Sequence, residues 1–282
     1  MAATVLPPDA ADIRRVITAA LAEDVGPGDV TSQTVIPAEL RFRGVMAARE
    51  PMVVCGLDIA SDVFRIVVPE AEWSARVTDG DHIGPGTILA EVSGPARGLL
   101  TAERVALNLL QHLSGIATLT RSYVEKLAGT GCVLLDTRKT IPGLRQLAKY
   151  ATRVGGARNH RMGLYDAILI KDNHIAVCGS VAEAVTRAKA AGVPIEVECD
   201  TLDQVAEAVD SRADIILLDN MSPDTLRQAV ALVAGRAKLE ASGGVTLETI
   251  RAIAETGVDF VSVGRITQSA RAVDIGLDWG VG

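Results

Sequence analysis

The chain has 282 residues, is 48% hydrophobic, 22% charged and 3% aromatic, and carries a formal net charge of −7. This length and apolar content bury a large core in one large domain or two unequal ones, and the acidic balance argues against a duplex-binding protein, which needs a basic face. No apolar run approaches the roughly 20 residues that span a bilayer, and the opening MAATVLPPDAADIRRV lacks the basic start and apolar run of a signal peptide, so a cytoplasmic enzyme or binding protein is expected. Residues 9–22 have helical periodicity, with Ile13, Val16, Ile17 and Leu21 on one face. Short β-like runs follow at 41–54, 71–77 and 87–92, broken by Gly and Pro. The stretch VTDGDHIGPGTILAEV (77–92) resembles the hairpin of lipoyl-type sandwich folds, but no Lys stands between residues 1 and 125, so a carrier has nothing to modify.

Residues 99–127 read as a long helix with Thr101 as the expected N-cap. Arg104 then falls in the first turn, where the helix dipole disfavours a cation. Either it is a solvated residue paired locally with Glu103, or an anion needs it there. From residue 132 a unit repeats. The strand-like runs are VLLDT (133–137), AILIKD (167–172), IEVECD (195–200), IILLDN (215–220), LEASGG (239–244) and FVSVGR (260–265). Helical segments separate the later runs. Ser180 with Glu183 and Thr201 with Gln204 read as capping boxes, and Ser222-Pro223 as a cap before a first-turn proline. Alternating strands and helices imply parallel pairing through right-handed crossovers. Six such units favour a (β/α) barrel, with an open doubly wound sheet as the alternative. No GxGxxG follows a strand, which argues against a dinucleotide site. The four cysteines, Cys55, Cys132, Cys178 and Cys199, stand far apart without a CxxC and read as reduced core residues.

Each of these strands ends in functional groups: Asp136, Thr137, Arg138 and Lys139; Lys171 to His174; Glu198; Asp219 and Asn220; Ser242, Gly243 and Gly244; Gly264 and Arg265. Barrel active sites lie at the C-terminal strand ends, and the last two loops often cradle a phosphate on backbone N–H groups. A Gly pair also serves ordinary turns, and Arg265 is a phosphate contact or a surface residue. Glu198 and Asp219 end neighbouring strands, as ion-pair partners or as oxygen ligands of Mg²⁺. Glu196 shares a face with Glu198 and would order Lys171 or another cation one layer deeper. Between Arg138 and Lys171 stand Arg145, Lys149, Arg153, Arg158, His160 and Arg161, with Asp166 as the acid among them. A basic pocket in an acidic protein suits a small polyanion. A diphosphate, a phosphate and a dicarboxylic acid together would account for it.

The runs TAERVALNLLQHLSGIAT, DTRKTIPGLRQLAKYA, GGARNHRMGLYDAILIKDNHI, EVECDTLDQ, IILLDN, LEASGG and SARAVDIGLD, with a weaker match at EDVGPGDVTS, resemble the quinolinate phosphoribosyltransferase family over nearly the whole chain. The resemblance implies a type II phosphoribosyltransferase (β/α) barrel at 113–269 with an N-terminal α/β sandwich domain at 1–112, joined by the tail 270–282. It implies conversion of quinolinate and phosphoribosyl pyrophosphate to nicotinate mononucleotide, pyrophosphate and CO₂ with Mg²⁺, a step of de novo NAD synthesis. On that resemblance Arg138, His160 and Arg161 bind quinolinate, and Lys171 lies close to both substrates. Lys139 faces the phosphoribosyl donor, Thr137 is among the substrate-binding residues, and Glu198 and Asp219 hold Mg²⁺ and ribose hydroxyls. Ser242, Gly243, Gly244, Gly264 and Arg265 hold the 5′-phosphate, and Val263 is also among the substrate-binding residues. The catalytic set is Lys139, Lys171, Glu198 and Asp219. The family implies a homodimer in which Arg104 reaches the partner's site. VGRITQS departs from the family pattern at Arg265 and Gln268, at the phosphate end. A related transferase with another acceptor, a Schiff-base lyase using Lys171, and a non-catalytic metabolite-binding module are the competing readings.

Overall fold

The structure, a computed structural model, describes residues 5–279. Helix α1 (Ala10–Val25) starts at Asp9, whose carboxylate accepts from the Ala11 N–H at 2.7 Å. It buries Val16 and Ile17 of the expected apolar face. Helix α2 (Val30–Val35) starts in the same way at Asp29. Then come β1 (Arg41–Ala48), β2 (Met52–Val53), α3 (Leu57–Val67), β3 (Glu72–Ala75), β4 (His82–Ile83) and β5 (Ile88–Pro95). Helix α3 was not expected, although Leu57, Ala60, Val63 and Phe64 recur at helical spacing and are all buried. The stretch 77–92 does not form one hairpin. Strand β4 pairs with β2, whereas β5 pairs with β1 and β3, so the run is shared between two sheets.

Helix α4 (Ala96–Lys126) begins earlier than expected. Thr101 is not its cap: its single hydroxyl proton is shared between the Arg97 carbonyl at 2.8 Å and Asp29 Oδ2 at 2.9 Å. Arg104 is exposed and more than two turns from the helix start, so the dipole no longer bears on it. Next are β6 (Val133–Leu135), α5 (Arg145–Gly155), β7 (Ile168–Ile170), α6 (Asp172–Cys178), α7 (Val181–Ala188), β8 (Ile195–Cys199), α8 (Leu202–Asp210), β9 (Ile215–Asp219), α9 (Pro223–Val233), β10 (Lys238–Ser242), α10 (Ile250–Ala254), β11 (Phe260–Ser262), α11 (Arg265–Gln268) and β12 (Ile275–Trp279).

Contacts divide the chain into two compact units. The first takes the chain to Arg121, with Ile141–Gly156 and the stretch from Thr267 onward. Its four-stranded antiparallel sheet has the order β12-β1-β5-β3. Phe42, Met46, Phe64, Leu89, Leu99 and Leu110 are among its buried core. Within it, Tyr150 donates to half-buried Asp79 at 2.8 Å, and Asp79 also accepts from the Gly56 and Leu57 N–H groups.

The second unit holds Ser122–Thr140 and Ala157–Ile266. Its six strands are parallel, in the order β6-β11-β10-β9-β8-β7. Five strands neighbour in chain order and β6 pairs with the last, which is the order of a barrel. The ring is open between β6 and β7. There Arg158 bridges to Leu135 in parallel register, and its N–H donates to the Leu134 carbonyl at 2.9 Å. The helix starts follow the sequence: Thr201 and Gln204 form a capping box, and Ser222 caps α9 ahead of Pro223. Ser180 caps α7, but Glu183 turns to Arg187 and leaves the box half made. All four cysteines are free; Cys55, Cys132 and Cys199 are buried, whereas Cys178 is half-exposed on α6. Among the described residues no helix is long and apolar enough to cross a membrane.

Candidate active site at the C-terminal strand ends

Register sets which side chains share the inner face. Glu198 aligns with Leu217, which aligns with Glu240, which aligns with Phe260. Alternation adds Glu196, Asp219 and Ser242 to that face, and Lys171 follows two residues after Leu169, the partner of Glu196. The face therefore carries two polar levels. Lys171, Glu198, Asp219 and Ser242 stand at the strand ends, and Glu196 and Glu240 lie below.

At the upper level, Lys171 forms an ion pair with Glu198. The Asn220 amide donates to Asp219 Oδ2 at 2.6 Å, and its backbone N–H donates to the Ser242 carbonyl at 2.8 Å. The ends of β9 and β10 are thereby laced together. Gly243 (φ +92°) and Gly244 (φ +62°) are left-handed, and a Cβ on Gly243 would overlap Asn220 Oδ1. After β6, the Thr137 hydroxyl accepts from the Lys139 N–H at 3.0 Å. Gly264 lies against this turn: a Cβ there would stand 2.7 Å from Lys139 Cδ and 3.5 Å from Thr137 Oγ1. Val263 is buried beside it, and Arg265 is exposed at the start of α11.

Arg138 and Arg161 are half-buried neighbours. Burial depresses the Arg161 guanidinium from its usual value, and the Arg138 charge adds to the effect. Arg138 Nε is buried without a hydrogen-bond partner among the described residues. Two cations held close, one with an unmet donor, form a ready-made anion site.

Below them, His160 Nε2 lies 2.9 Å from Glu196 and 3.5 Å from Glu240. Among the described residues, these three form the group whose ligand atoms lie within 4.8 Å of one another, a composition that would also suit a metal. Burial works against a charged His160, but the two glutamates outweigh it, and the triad keeps an extra proton up to about 10. The Arg161 N–H points at Nδ1 at 2.7 Å, so Nδ1 is an acceptor and that proton lies between Nε2 and the carboxylates. Glu196 is raised by burial first and also by the adjacent Glu240. The cation that Glu196 orders is thus His160, while Lys171 goes to Glu198.

The basic run does not act as one patch. Arg145, Lys149 and Arg153 lie on α5, and Lys149 is fully buried. Arg158 stacks over Phe260 at 5.8 Å, at the N-terminal end of β11. Arg158 and Phe260, with Pro194, Ile215 and the His160, Glu196 and Glu240 triad itself, line a cavity of about 130 Å³. Asp136 does not open to the mouth. It is fully buried and accepts from the Asn159 amide at 2.6 Å and the His160 N–H at 2.9 Å. Alternation between Leu135 and Thr137 carried the signal for its outward direction. Asn220, read only as a strand-end group, laces β9 to β10, and Glu240, which also lies on this face, was not singled out. Glu240 sits inside an apolar run, where a lone buried acid signals an internal ion pair. Arg104 lies in the first unit, on α4.

Cations, paired carboxylates and left-handed glycines at the C-terminal ends of a parallel barrel define an enzyme acting on small polyanionic substrates. Residues 116–278 match the family described as quinolinate phosphoribosyl transferase, C-terminal domain, and residues 29–114 match its N-terminal domain. The chain is 46% identical to the probable nicotinate-nucleotide pyrophosphorylase [carboxylating] of Bacillus subtilis (strain 168), over 91% of this chain and 89% of that one. It is also 46% identical to the nicotinate-nucleotide pyrophosphorylase [carboxylating] of Mycobacterium leprae (strain TN), over 94% and 96%. The crystal structure of NadC from Streptococcus pyogenes superposes with a TM-score of 0.93 at 40% identity, covering 97% of this chain and 98% of that one. The chain belongs to the quinolinate phosphoribosyltransferase family. Its fold is the type II phosphoribosyltransferase barrel with an N-terminal α/β domain, as the sequence led one to expect.

Proposed function

We propose that this chain transfers the phosphoribosyl group of phosphoribosyl pyrophosphate to quinolinate with loss of CO₂, yielding nicotinate mononucleotide and pyrophosphate in de novo NAD synthesis. Family membership supports the reaction, and the Arg138–Arg161 pair is the observation that carries the acceptor. Two adjacent guanidiniums that disfavour each other unliganded match the adjacent carboxylates of a pyridine dicarboxylic acid. Lys171 stands at the same strand-end level beside Glu198, between the acid and the ribose. The ring nitrogen attacks ribose C1 as the C1–O bond to pyrophosphate breaks, through an oxocarbenium-like state. Holding the nitrogen in line supplies much of the rate. Cations facing the leaving group stabilise the charge that develops on it. The C2–carboxylate bond then breaks, its electron pair stays on C2 beside the positive ring nitrogen, and C2 takes up a proton.

Lys139, fixed by Thr137 and Gly264, faces the pyrophosphate. The Ser242–Gly244 turn and the Val263–Arg265 turn receive the 5′-phosphate on backbone that glycine allows to approach closely. Glu198 and Asp219 are half-exposed hard-oxygen donors on neighbouring strands and fit Mg²⁺, which also takes substrate oxygens and would neutralise the pyrophosphate charge. Lys171 donates to the Glu198 carboxylate, which disfavours a Schiff-base role that needs its free lone pair. We further propose a cytoplasmic homodimer in which Arg104 serves the partner's site. The purified chain should form nicotinate mononucleotide from quinolinate and phosphoribosyl pyrophosphate; no nucleotide at saturating levels of both would overturn the assignment.

A further inference from the structure

We propose that Arg15, on α1, is a positioning residue for Lys139: it fixes the far end of the turn segment on which Lys139 is carried. This rests on the reading above that Lys139 faces the pyrophosphate. After β6 the chain leaves the second unit at Thr140 and enters the first at Ile141. Two tight turns span this crossing. The Thr140 N–H donates to the Arg138 carbonyl at 2.9 Å, and the Leu144 N–H donates to the Ile141 carbonyl at 3.1 Å. Pro142 and Gly143 stand at the second and third positions of the latter turn, and Gly143 has a φ of +81°. Those are the residues and the conformation of a type II turn. Arg15 Nη2 donates to the Gly143 carbonyl at 2.8 Å. A chain that turns this tightly has little slack, so fixing Gly143 limits where Lys139 can go.

Arg15 is itself held. Asp12, one turn earlier, accepts from Arg15 Nε at 3.0 Å and from Nη2 at 2.7 Å. The dipole at the start of α1 favours an acid there. The helix is seated on α5: Val16 and Ile17 are buried in one core with Leu147, Ala148 and Ala151. Arg153 Nη2 also donates to the Leu6 carbonyl at 3.0 Å, in the segment that leads into α1. On the near side, Thr137 accepts from the Lys139 N–H. The segment is therefore tied at both ends. The Arg15 side chain is 54% exposed, and surface ion pairs add little to stability, so its loss falls on the turn and not on folding.

Steady-state kinetics on the full chain test this. Arg15→Ala should raise KM for phosphoribosyl pyrophosphate about fivefold with the thermal midpoint within about 2 °C, and Arg15→Lys, which keeps a donor, should return KM to within about twofold. In a Lys139→Ala background, Arg15→Ala should raise that KM by less than about twofold further, because both changes act on one contact. A fully multiplied rise in the double variant, or an unchanged KM in folded Arg15→Ala, would overturn the proposal. Amide exchange separates it from the reading beneath it. The Leu144 N–H should exchange about fivefold faster in Arg15→Ala, and unchanged exchange refutes the link whatever Lys139 does. If Lys139→Ala alone leaves KM for phosphoribosyl pyrophosphate unchanged, the reading of Lys139 fails, and the proposal with it.

Discussion

In the proposed reaction Lys171, which pairs with Glu198 from the end of β7, is the side chain placed where acceptor and donor would meet. Lys171→Ala should lower kcat by about 100-fold or more at saturating substrates; turnover near the unaltered rate would remove Lys171 from the catalytic set. Gly243 has a different role. Its φ of +92° and the overlap of any Cβ with Asn220 make Gly243→Ala strained as well as crowded. Denaturant unfolding should show a loss of about 1–3 kcal/mol, with a raised KM for phosphoribosyl pyrophosphate. The triad predicts a pH dependence. Free His160 would lose its proton near 6.5, but the folded triad keeps one up to about 10. The folded state therefore binds more protons across that window, so this contribution is complete below about 6.5 and is lost as pH rises towards 10. Unfolding free energies measured at both ends of the window should show the decline, and His160→Gln should flatten it. Identities of strand-end residues were legible in the sequence because they follow apolar runs directly. Their partners were not: the contact of His160 with Glu240 joins residues 80 apart along the chain, and spacing within one strand says nothing of it.

At the scale of elements, the periodic signals served well where one rule decided the outcome. Thr201 and Gln204 cap α8 as their spacing implied, so Thr201→Ala should cost about 1 kcal/mol of stability and leave kcat and both KM values unchanged. A kinetic effect would mean that α8 does more than close a crossover. Legibility failed where two rules competed. Thr101 looked like a cap, yet it sits inside α4 and bonds back to Arg97. The run 77–92 alternates like one hairpin, but each half pairs with a different, distant strand, and pairing over such distances leaves no local trace. The shallow turn signals around α3 hid a helix whose apolar spacing was plain. The barrel itself was legible from six repeats, whereas its opening at β6 and β7 depends on where the 157–160 segment settles.

For the whole molecule, the proposed dimer makes Arg104 and Lys171 residues of one site supplied by two chains. Mixing inactive Arg104→Ala with inactive Lys171→Ala should then restore activity, to about a quarter of the unaltered level after random exchange. No recovery, in a mixture shown by mass to contain hybrids, would place Arg104 outside the site. The basic run in an acidic chain is the broader feature that the sequence showed: three of its cations, Arg145, Lys149 and Arg153, belong to α5 of the first unit, and the others to the second. The central claim is that the mouth at the strand ends reads both carboxylates. The most direct test measures CO₂ and pyrophosphate release from phosphoribosyl pyrophosphate with quinolinate, with and without Mg²⁺, beside nicotinate as acceptor. Equal, Mg²⁺-dependent release of both products with quinolinate, and none with nicotinate, is the predicted result. Pyrophosphate release with nicotinate but not with quinolinate would contradict it.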